Sequence, residues 1–304
     1  MIISLILLFL AGVFIPGIIS MVKAKLTGRK APSILQPMYD ILKLFKKGNV
    51  YSTTSTLIFQ IAPVISFSTI VLALLFVPVG KYPGLLSFEG DFVFFAYIIG
   101  LGRFLMIIAA MDTGSGFEGM GANREAFYSL IAEPVFFILF GSLALLTGQT
   151  SFYDIFNLLH TDTLLSYFFA GLSVYVLFWI SMIEGSRLPV DDPKTHLELT
   201  MVHEVIVLDH SGFELALIQL TAALKFAIFG TLIFNIALPM QNNYVLPVLL
   251  FPVVQTIFAS FVAMVETFRA RNKMQKNAQW IVLLSALAIL IFTSVLIITG
   301  KILF

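Results

Sequence analysis

The chain has 304 residues, of which 59% are hydrophobic and only 12% are charged, with a mean hydropathy of +0.98 and a formal net charge of +1. This apolar content is well above the roughly 45–50% of a soluble domain, so we expect one integral membrane domain over 1–304 and no nucleic-acid partner. The chain has no cysteine, which excludes disulfides, thiolate-bound iron–sulfur clusters and cysteine nucleophiles, so any electron transfer must occur in another polypeptide.

Eight apolar segments are each long enough to cross a bilayer, which requires about 20 mostly apolar residues. The first lacks the basic leader of a cleavable signal peptide and is followed by Lys23 and Lys25, so we expect it to be retained as a span. The fold class predicted is therefore all-α and polytopic. The spans are expected near 1–22, 57–79, 92–111, 127–147, 163–184, 212–238, 244–265 and 278–300.

The basic residues between these spans lie mostly on one side of the membrane. That side carries 14 of the 18 Lys and Arg residues, whereas the opposite side carries Lys81 and Lys301. Because cytoplasmic loops are enriched in Lys and Arg, this bias predicts that both termini lie outside. The predicted cytoplasmic segments are 23–56, 112–126, 185–211 and 266–277.

The first cytoplasmic segment contains an amphipathic helix, which we predict within 33–48. At about a dozen residues it is too short to span, so we expect it to lie along the membrane surface. It is either a simple membrane anchor or part of a docking surface. The apolar residues with helical spacing are Met38, Ile41, Leu42 and Phe45.

Several ionisable residues fall within or at the ends of the spans. Each charge in hydrocarbon costs roughly 2.5–3.5 kcal/mol or more, so such groups pair with one another or line wet cavities. Carboxylates spread over several spans can hold and pass protons, because burial raises the pKa of a carboxyl group and a nearby cation lowers it. The alternative is a set of static ion pairs between helices. The residues are Arg103, Asp112, Glu133, Glu184, Glu214 and Lys225.

The stretch EGSRLPVDDPKTHLELTMVHEVIVLDH (184–210) holds six carboxylates and three histidines. Asp192 followed by proline predicts a helix N-cap, with a helix from about Pro193 to Leu208. Histidines seven residues apart on one helix are about 10 Å apart, so we expect no metal site. This long acidic loop between spans five and six is either a proton entry or a socket for a charged partner protein. The histidines are His196, His203 and His210.

Three motifs carry a family resemblance. GRKAPSILQPMYDILKLFKK (28–47), GANREAFYSLIAEP (121–134) and EGSRLPVDDPKTHLEL (184–199) resemble segments of the quinone-site membrane subunit of respiratory complex I, as does the SG pair at 211–212. The forms GxNREAFYSLxAEP and RLPVDDPxTHLELTMxHE are more similar to the related subunit of group 4 membrane-bound nickel–iron hydrogenases. That subunit is of the formate hydrogenlyase subunit 4 and hydrogenase-4 component C type.

Two departures from the quinone-reducing relatives favour the hydrogenase type. The loop between Glu198 and the SG pair is about three residues longer here, so Glu204 and Asp209 both fit the acidic position just before that pair. Where those relatives usually carry a Glu midway along span six, this chain has Ala222 and then Lys225.

The resemblance implies a membrane-anchor and coupling subunit without a redox centre or metal of its own. It implies a proton relay through Glu133, Glu184, Glu198, Glu204, Glu214, Asp209 and Asp112. The charge partners of these acids would be Arg103, Arg124, Arg187 and Lys225. The docking surface would include Arg29, Gln36, Asp40, Lys43, Asp191 and Asp192.

The resemblance also implies partners and a location in the prokaryotic plasma membrane. A nickel–iron large subunit and a small iron–sulfur subunit would dock on the cytoplasmic face, and antiporter-like subunits would adjoin in the bilayer. Electron transfer in the docked arm would then drive proton or sodium translocation. Two alternatives remain. One is the quinone-site subunit of an NADH- or ferredoxin:quinone oxidoreductase. The other is a standalone secondary transporter, a class that often has internal repeats, which this sequence lacks.

Overall fold

The structure is a computed structural model that describes residues 2–159, 164–191, 202–239 and 244–300. Within these ranges the chain forms eleven helices joined by turns and short loops. In chain order the helices are α1 (Ile2–Leu26), α2 (Gln36–Phe45), α3 (Leu57–Leu74), α4 (Asp91–Asp112), α5 (Gly116–Thr147), α6 (Phe152–Leu158), α7 (Leu164–Glu184), α8 (His203–Ile206), α9 (Gly212–Ala237), α10 (Val245–Phe268) and α11 (Met274–Ile298).

Eight of the described helices are long and apolar enough to cross a membrane, which confirms the prediction of eight spans. They are α1, α3, α4, α5, α7, α9, α10 and α11. The amphipathic segment within 33–48 is helical, as predicted, and forms α2. The short helix α6, between the fourth and fifth spans, was not predicted.

Two predicted span boundaries were wrong. The second span ends at Leu74 rather than near 79, because Pro78 and a tight turn at Gly80 (φ +54°), closed by a bridge between Val79 and Tyr82, follow it. The fourth span begins at Gly116 rather than near 127, so most of the glycine-rich stretch expected as a loop is helical.

The glycines of that stretch permit close packing instead of forming a loop. A Cβ atom at Gly121 would lie 3.0 Å from the carbonyl oxygen of Val202 and 3.2 Å from the side chain of Val205. The first turns of α5 therefore press against the end of the acidic loop, where a larger side chain would separate them.

Helix α9 lies at the centre of the bundle. Its residues are buried along most of its length, and α1, α2, α3, α7 and α10 all pack against it. Helix α4 packs between α3 and α5, while α11 covers the outer side of α5 and α7. The side chains of Arg103 on α4, Glu184 on α7 and Lys225 on α9 are largely buried between these helices.

The SG pair at the start of α9 fixes the segment that follows α2. Gly212 has φ +48°, and a Cβ atom there would overlap the carbonyl oxygen of Gly48. Ser211 Oγ accepts a hydrogen bond from Val50 N at 3.0 Å, and Phe213 N donates to Asn49 Oδ1 at 2.7 Å. Glycine is therefore required at this position by both backbone conformation and close approach.

The helix predicted from Pro193 to Leu208 falls largely on 192–201, which lie outside the described residues, as does its predicted cap Asp192. In the described part, α8 covers only His203–Ile206, and a turn follows through Asp209. The predicted end of the helix, Leu208, is therefore in a turn.

Candidate functional site

Four membrane-spanning helices bring charged residues together around one arginine. Arg103 on α4 contacts Glu184 on α7 through Nη2, and its Nη1 lies 3.5 Å from Glu133 Oε1 on α5. Its Nε lies 3.6 Å from Glu125 Oε1, also on α5. Lys225 Nζ on α9 lies 3.7 Å from Glu184 Oε2. These five residues are called the Arg103 cluster below.

The Arg103 cluster contains three carboxylates and two cations, so its formal net charge is −1 when every member is ionised. The side chains of Arg103 and Glu184 are 6% and 7% exposed, so little water screens them. In such a low-dielectric environment the charges of the cluster interact strongly with one another.

Two cavities connect the Arg103 cluster to the predicted cytoplasmic side. The inner cavity, of about 50 Å³, is lined by Arg103, Glu125, Glu184 and Lys225. The outer cavity, of about 440 Å³, lies between α1, α2 and α9. The two adjoin, since both are lined by Gly185, Ser186, His203, Ile218 and Ala222.

The outer cavity combines apolar walls with a polar mouth. Pro16 on α1 and Phe226 on α9 line it on the apolar side. Gln36 and Asp40 on α2 line it as well, and Gln36 Nε2 donates a hydrogen bond to Asp40 Oδ1 at 3.0 Å. Glu204, predicted as a relay acid, is also on its wall.

On its other side the Arg103 cluster reaches a cleft between α4 and α5. This cleft, of about 30 Å³, is lined by both Glu133 and Glu184. The side chain of Glu133 is 42% exposed although it lies near the middle of a membrane-spanning helix. A carboxylate in this position would face lipid unless a neighbouring protein covers it.

Glu214, predicted as a relay acid, pairs with His210 instead of joining the Arg103 cluster. His210 Nδ1 lies 2.8 Å from Glu214 Oε2, and both side chains are almost fully buried. The His210 ring stacks on Phe59, with centroids 4.0 Å apart. Burial lowers the pKa of His210, against the opposing effect of Glu214 and Asp209.

The turn after α7 is held by residues of the segment 266–277. Glu266 Oε1 accepts a hydrogen bond from Arg187 Nη1 at 2.9 Å, and its Oε2 accepts one from Lys23 Nζ at 3.1 Å. Arg271 Nη2 donates to Asp191 Oδ1 at 2.8 Å. Arg187, predicted as a partner of the relay acids, therefore pairs with Glu266, and Asp191 has a structural role in place of an open docking position.

The remaining predicted residues lie apart from the Arg103 cluster. Asp112 Oδ2 accepts hydrogen bonds from the backbone and hydroxyl of Thr56 at 2.7 and 2.8 Å. Asp209 is exposed, and Arg124 Nη2 contacts Met120 Sδ at 2.8 Å. Arg29 and Lys43 are exposed on the predicted cytoplasmic side, and Glu198 and Asp192 lie outside the described residues.

Three acids in contact with predicted residues were missed. Glu125 directly follows Arg124 in the GANREAFYSLIAEP motif, so its place near Glu133 on one helix could have been noticed. Glu118, fully buried, accepts a hydrogen bond from Asp209 N at 3.1 Å and stood in the stretch expected as a loop. Nothing in the sequence indicated the ion pairs of Glu266, because its partners lie far away along the chain.

Comparisons with known proteins agree with this architecture. The family model described as NADH dehydrogenase matches residues 1–297. Hydrogenase-4 component C of Escherichia coli K12 is 32% identical over 246 residues, which cover 78% of this chain and 73% of that protein. Formate hydrogenlyase subunit 4 of the same organism is 27% identical over 65% of this chain and 64% of its own length.

Two further comparisons concern quinone reductases and solved structures. A subunit of the NADH-quinone oxidoreductase of Rubrobacter xylanophilus is 28% identical over 65% of this chain and 59% of its own length. A chain of the archaeal membrane-bound sulfane sulfur reductase, a respiratory membrane complex, superposes with a TM-score of 0.79 over 97% of both chains. At 21% identity this last match shows a shared fold.

Proposed function

Because this chain belongs to the NADH dehydrogenase family, we propose that it is the membrane-anchor and coupling subunit of a complex I-like, group 4 nickel–iron hydrogenase of the formate hydrogenlyase type. Its similarity to hydrogenase-4 component C and formate hydrogenlyase subunit 4 supports this type. In this proposal a nickel–iron large subunit and a small iron–sulfur subunit dock on the cytoplasmic face, and antiporter-like subunits adjoin it in the plasma membrane.

The Arg103 cluster is the observation that carries the proposal. Glu184 and Glu133 both face the same guanidinium; Glu184 lines both the inner cavity and the cleft, whereas Glu133 lines the cleft alone of these two. A proton that enters through the two cavities reaches Glu184, and its transfer to Glu133 leaves the formal charge of the cluster unchanged. Redox chemistry in the docked arm drives this step by changing the charge or position of groups at the outer cavity.

Glu133 is the exit of the relay in this proposal. Its side chain opens into the cleft between α4 and α5, on the outer surface of this subunit. An ionised carboxylate facing lipid is costly, so a neighbouring membrane subunit covers this cleft in the assembled complex and accepts the ion or proton.

The test is Glu133→Gln in the assembled complex, reconstituted in vesicles. We expect a fall of about tenfold or more in ion uptake per hydrogen evolved, because the amide cannot exchange a proton. Glu89→Gln is the matched control, since Glu89 is an exposed acid before α4 on the predicted opposite side. A Glu133→Gln complex that assembles and transports ions like the parent would contradict the proposal.

The outer cavity favours the second candidate, a quinone-site subunit. Its volume of about 440 Å³ and its apolar walls on α1 and α9 are compatible with an isoprenoid chain. A photoreactive quinone analogue tests this candidate. Labelling of α1 or α9 peptides in the complex, suppressed by excess unmodified quinone, would favour quinone reduction, whereas no competed labelling would favour the hydrogenase.

A further inference from the structure

Helix α2 carries two apolar faces, only one of which is packed against the protein. Ile41 is buried, and Phe45 on the same face packs edge-on against Phe213 of α9 with ring centroids 5.4 Å apart. The other apolar face is exposed. It consists of Leu35, Tyr39 and Leu42, which are 36%, 52% and 46% exposed and recur at helical spacing.

The C-terminal end of α2 is strongly basic. Lys43, Lys46 and Lys47 are all exposed, and none forms an ion pair within the described part of the chain. The whole segment 23–56 has seven Lys and Arg residues and one acid, Asp40, whose carboxylate accepts a hydrogen bond from Gln36. The exposed apolar face is therefore bordered by positive charge.

We propose that this face of α2, with Lys46 and Lys47, binds the anionic phospholipid surface of the membrane. The leucine and tyrosine side chains enter the acyl region, while the lysine ammonium groups reach the phosphate groups. Charge complementarity selects this partner, because a soluble anion leaves the apolar face in water and a zwitterionic lipid leaves the lysines without counter-charge. Each basic residue near an anionic surface strengthens binding about fivefold.

Lipid binding at α2 has a consequence for the interior. The third face of α2 carries Gln36, Pro37 and Asp40, which line the outer cavity. A lipid that holds the outer face of α2 also holds this wall of the cavity in place. The shape of the cavity then depends on the anionic lipid content, whichever reaction the complex catalyses, so this inference does not rest on the proposed function.

The test is hydrogen–deuterium exchange of the full chain in nanodiscs. In phosphatidylcholine with about 30% phosphatidylglycerol, we expect peptides covering 36–47 to exchange about threefold or more slowly than in phosphatidylcholine alone. Lys46→Gln with Lys47→Gln removes this difference. Lys273→Gln with Lys276→Gln is the matched control, an exposed lysine pair in another segment of the same predicted side, and it retains the difference.

A second variant addresses the apolar half of the surface. Leu42→Gln is expected to speed exchange of 36–47 in both lipid compositions, because it removes acyl-chain contact without changing the charge. The inference is overturned if exchange is the same in both compositions for the parent. It is also overturned if the Lys273 and Lys276 pair matters as much as the Lys46 and Lys47 pair, since the effect is then a general electrostatic one.

Discussion

Two arginines, Arg103 and Arg187, each bind carboxylates supplied by distant parts of the chain. The cost of charges in hydrocarbon predicted that Arg103 would pair with other charged groups or line a wet cavity, but not that Glu133 and Glu184 would be its partners. No such argument pointed to the pairing of Arg187 with Glu266, because Arg187 is a loop residue and no periodicity links it to the helix end 79 positions away. The need for a partner was therefore predictable for a charge within a span. The partner of a charge in a loop, which is set by tertiary packing, was not.

His210 should make the stability of the protein depend on pH. Burial lowers its pKa in the folded state, so the unfolded state binds more protons once the pH falls below about 6.5. The contribution of neutral His210 to the free energy of unfolding is therefore fully present above this pH and is lost as the pH falls further. We expect the melting temperature of the full chain in detergent to decrease between about pH 6.5 and 5.5.

His210→Asn is the variant that isolates this effect. Its side-chain amide can still donate to Glu214 in place of Nδ1, but it does not ionise. The decrease in melting temperature over the same pH interval should be smaller in this variant. An equal decrease in both proteins would show that His210 remains free to protonate in the folded state.

Among the elements, the helices with strong periodicity were predictable, whereas their ends depended on tertiary contacts. Helix α2 matched its prediction because its apolar residues recur on defined faces. Helix α5 begins at Gly116, eleven residues before its predicted start at 127. Its glycines permit close packing against Val202 and Val205 instead of forming a loop. From sequence alone, a glycine-rich loop cannot be distinguished from a glycine-rich helix that packs closely against another segment.

Close packing at Gly17 should be essential for the position of α2. A Cβ atom there would overlap the backbone carbonyl of Ile34, which cannot rotate away as a side chain can. Gly17→Ala should therefore displace the segment before α2 and destabilise the protein by about 1–3 kcal/mol, lowering its melting temperature by about 5 °C.

Gly141→Ala provides the comparison, because a Cβ atom at this position, within the last third of α5, would have no neighbouring atom within 4 Å. Alanine in a helix interior is favoured by about 0.5–1 kcal/mol over glycine, so this variant should melt at the same or a higher temperature. If both variants melt alike, the contact between α1 and Ile34 does not position α2.

For the whole molecule, hydropathy alone predicted the number of spans, and the eight long apolar helices confirm it. The grouping of the relay acids was only partly predictable. Glu133 and Glu184 meet at Arg103, but Glu214 lies about 16 Å further along α9 from Lys225, given the rise per residue, and has its own partner. The acidic side chains that point to the same buried site depend on how each helix is rotated about its own axis. Composition does not specify this rotation.

The orientation of the molecule remains a prediction from its charge distribution. Of the 18 Lys and Arg residues, 14 lie on one predicted side, so both termini should face away from the cytoplasm. Alkaline phosphatase fused to the C-terminus should be active in intact bacteria, and green fluorescent protein at the same place should be dark. Fusions between α10 and α11, at 269–273, should give the opposite pattern. A fluorescent C-terminal fusion would invert the assignment.

Asp191 has one more consequence, which concerns the evolution of the acidic loop. Its Oδ2 atom accepts hydrogen bonds from the backbone of Val202 at 3.2 Å and of His203 at 2.9 Å, so the residues that flank 192–201 are fastened to each other. Insertions or deletions between them need not disturb either end. This part of the chain can therefore vary in length and sequence during evolution, while the arrangement of the Arg103 cluster stays the same.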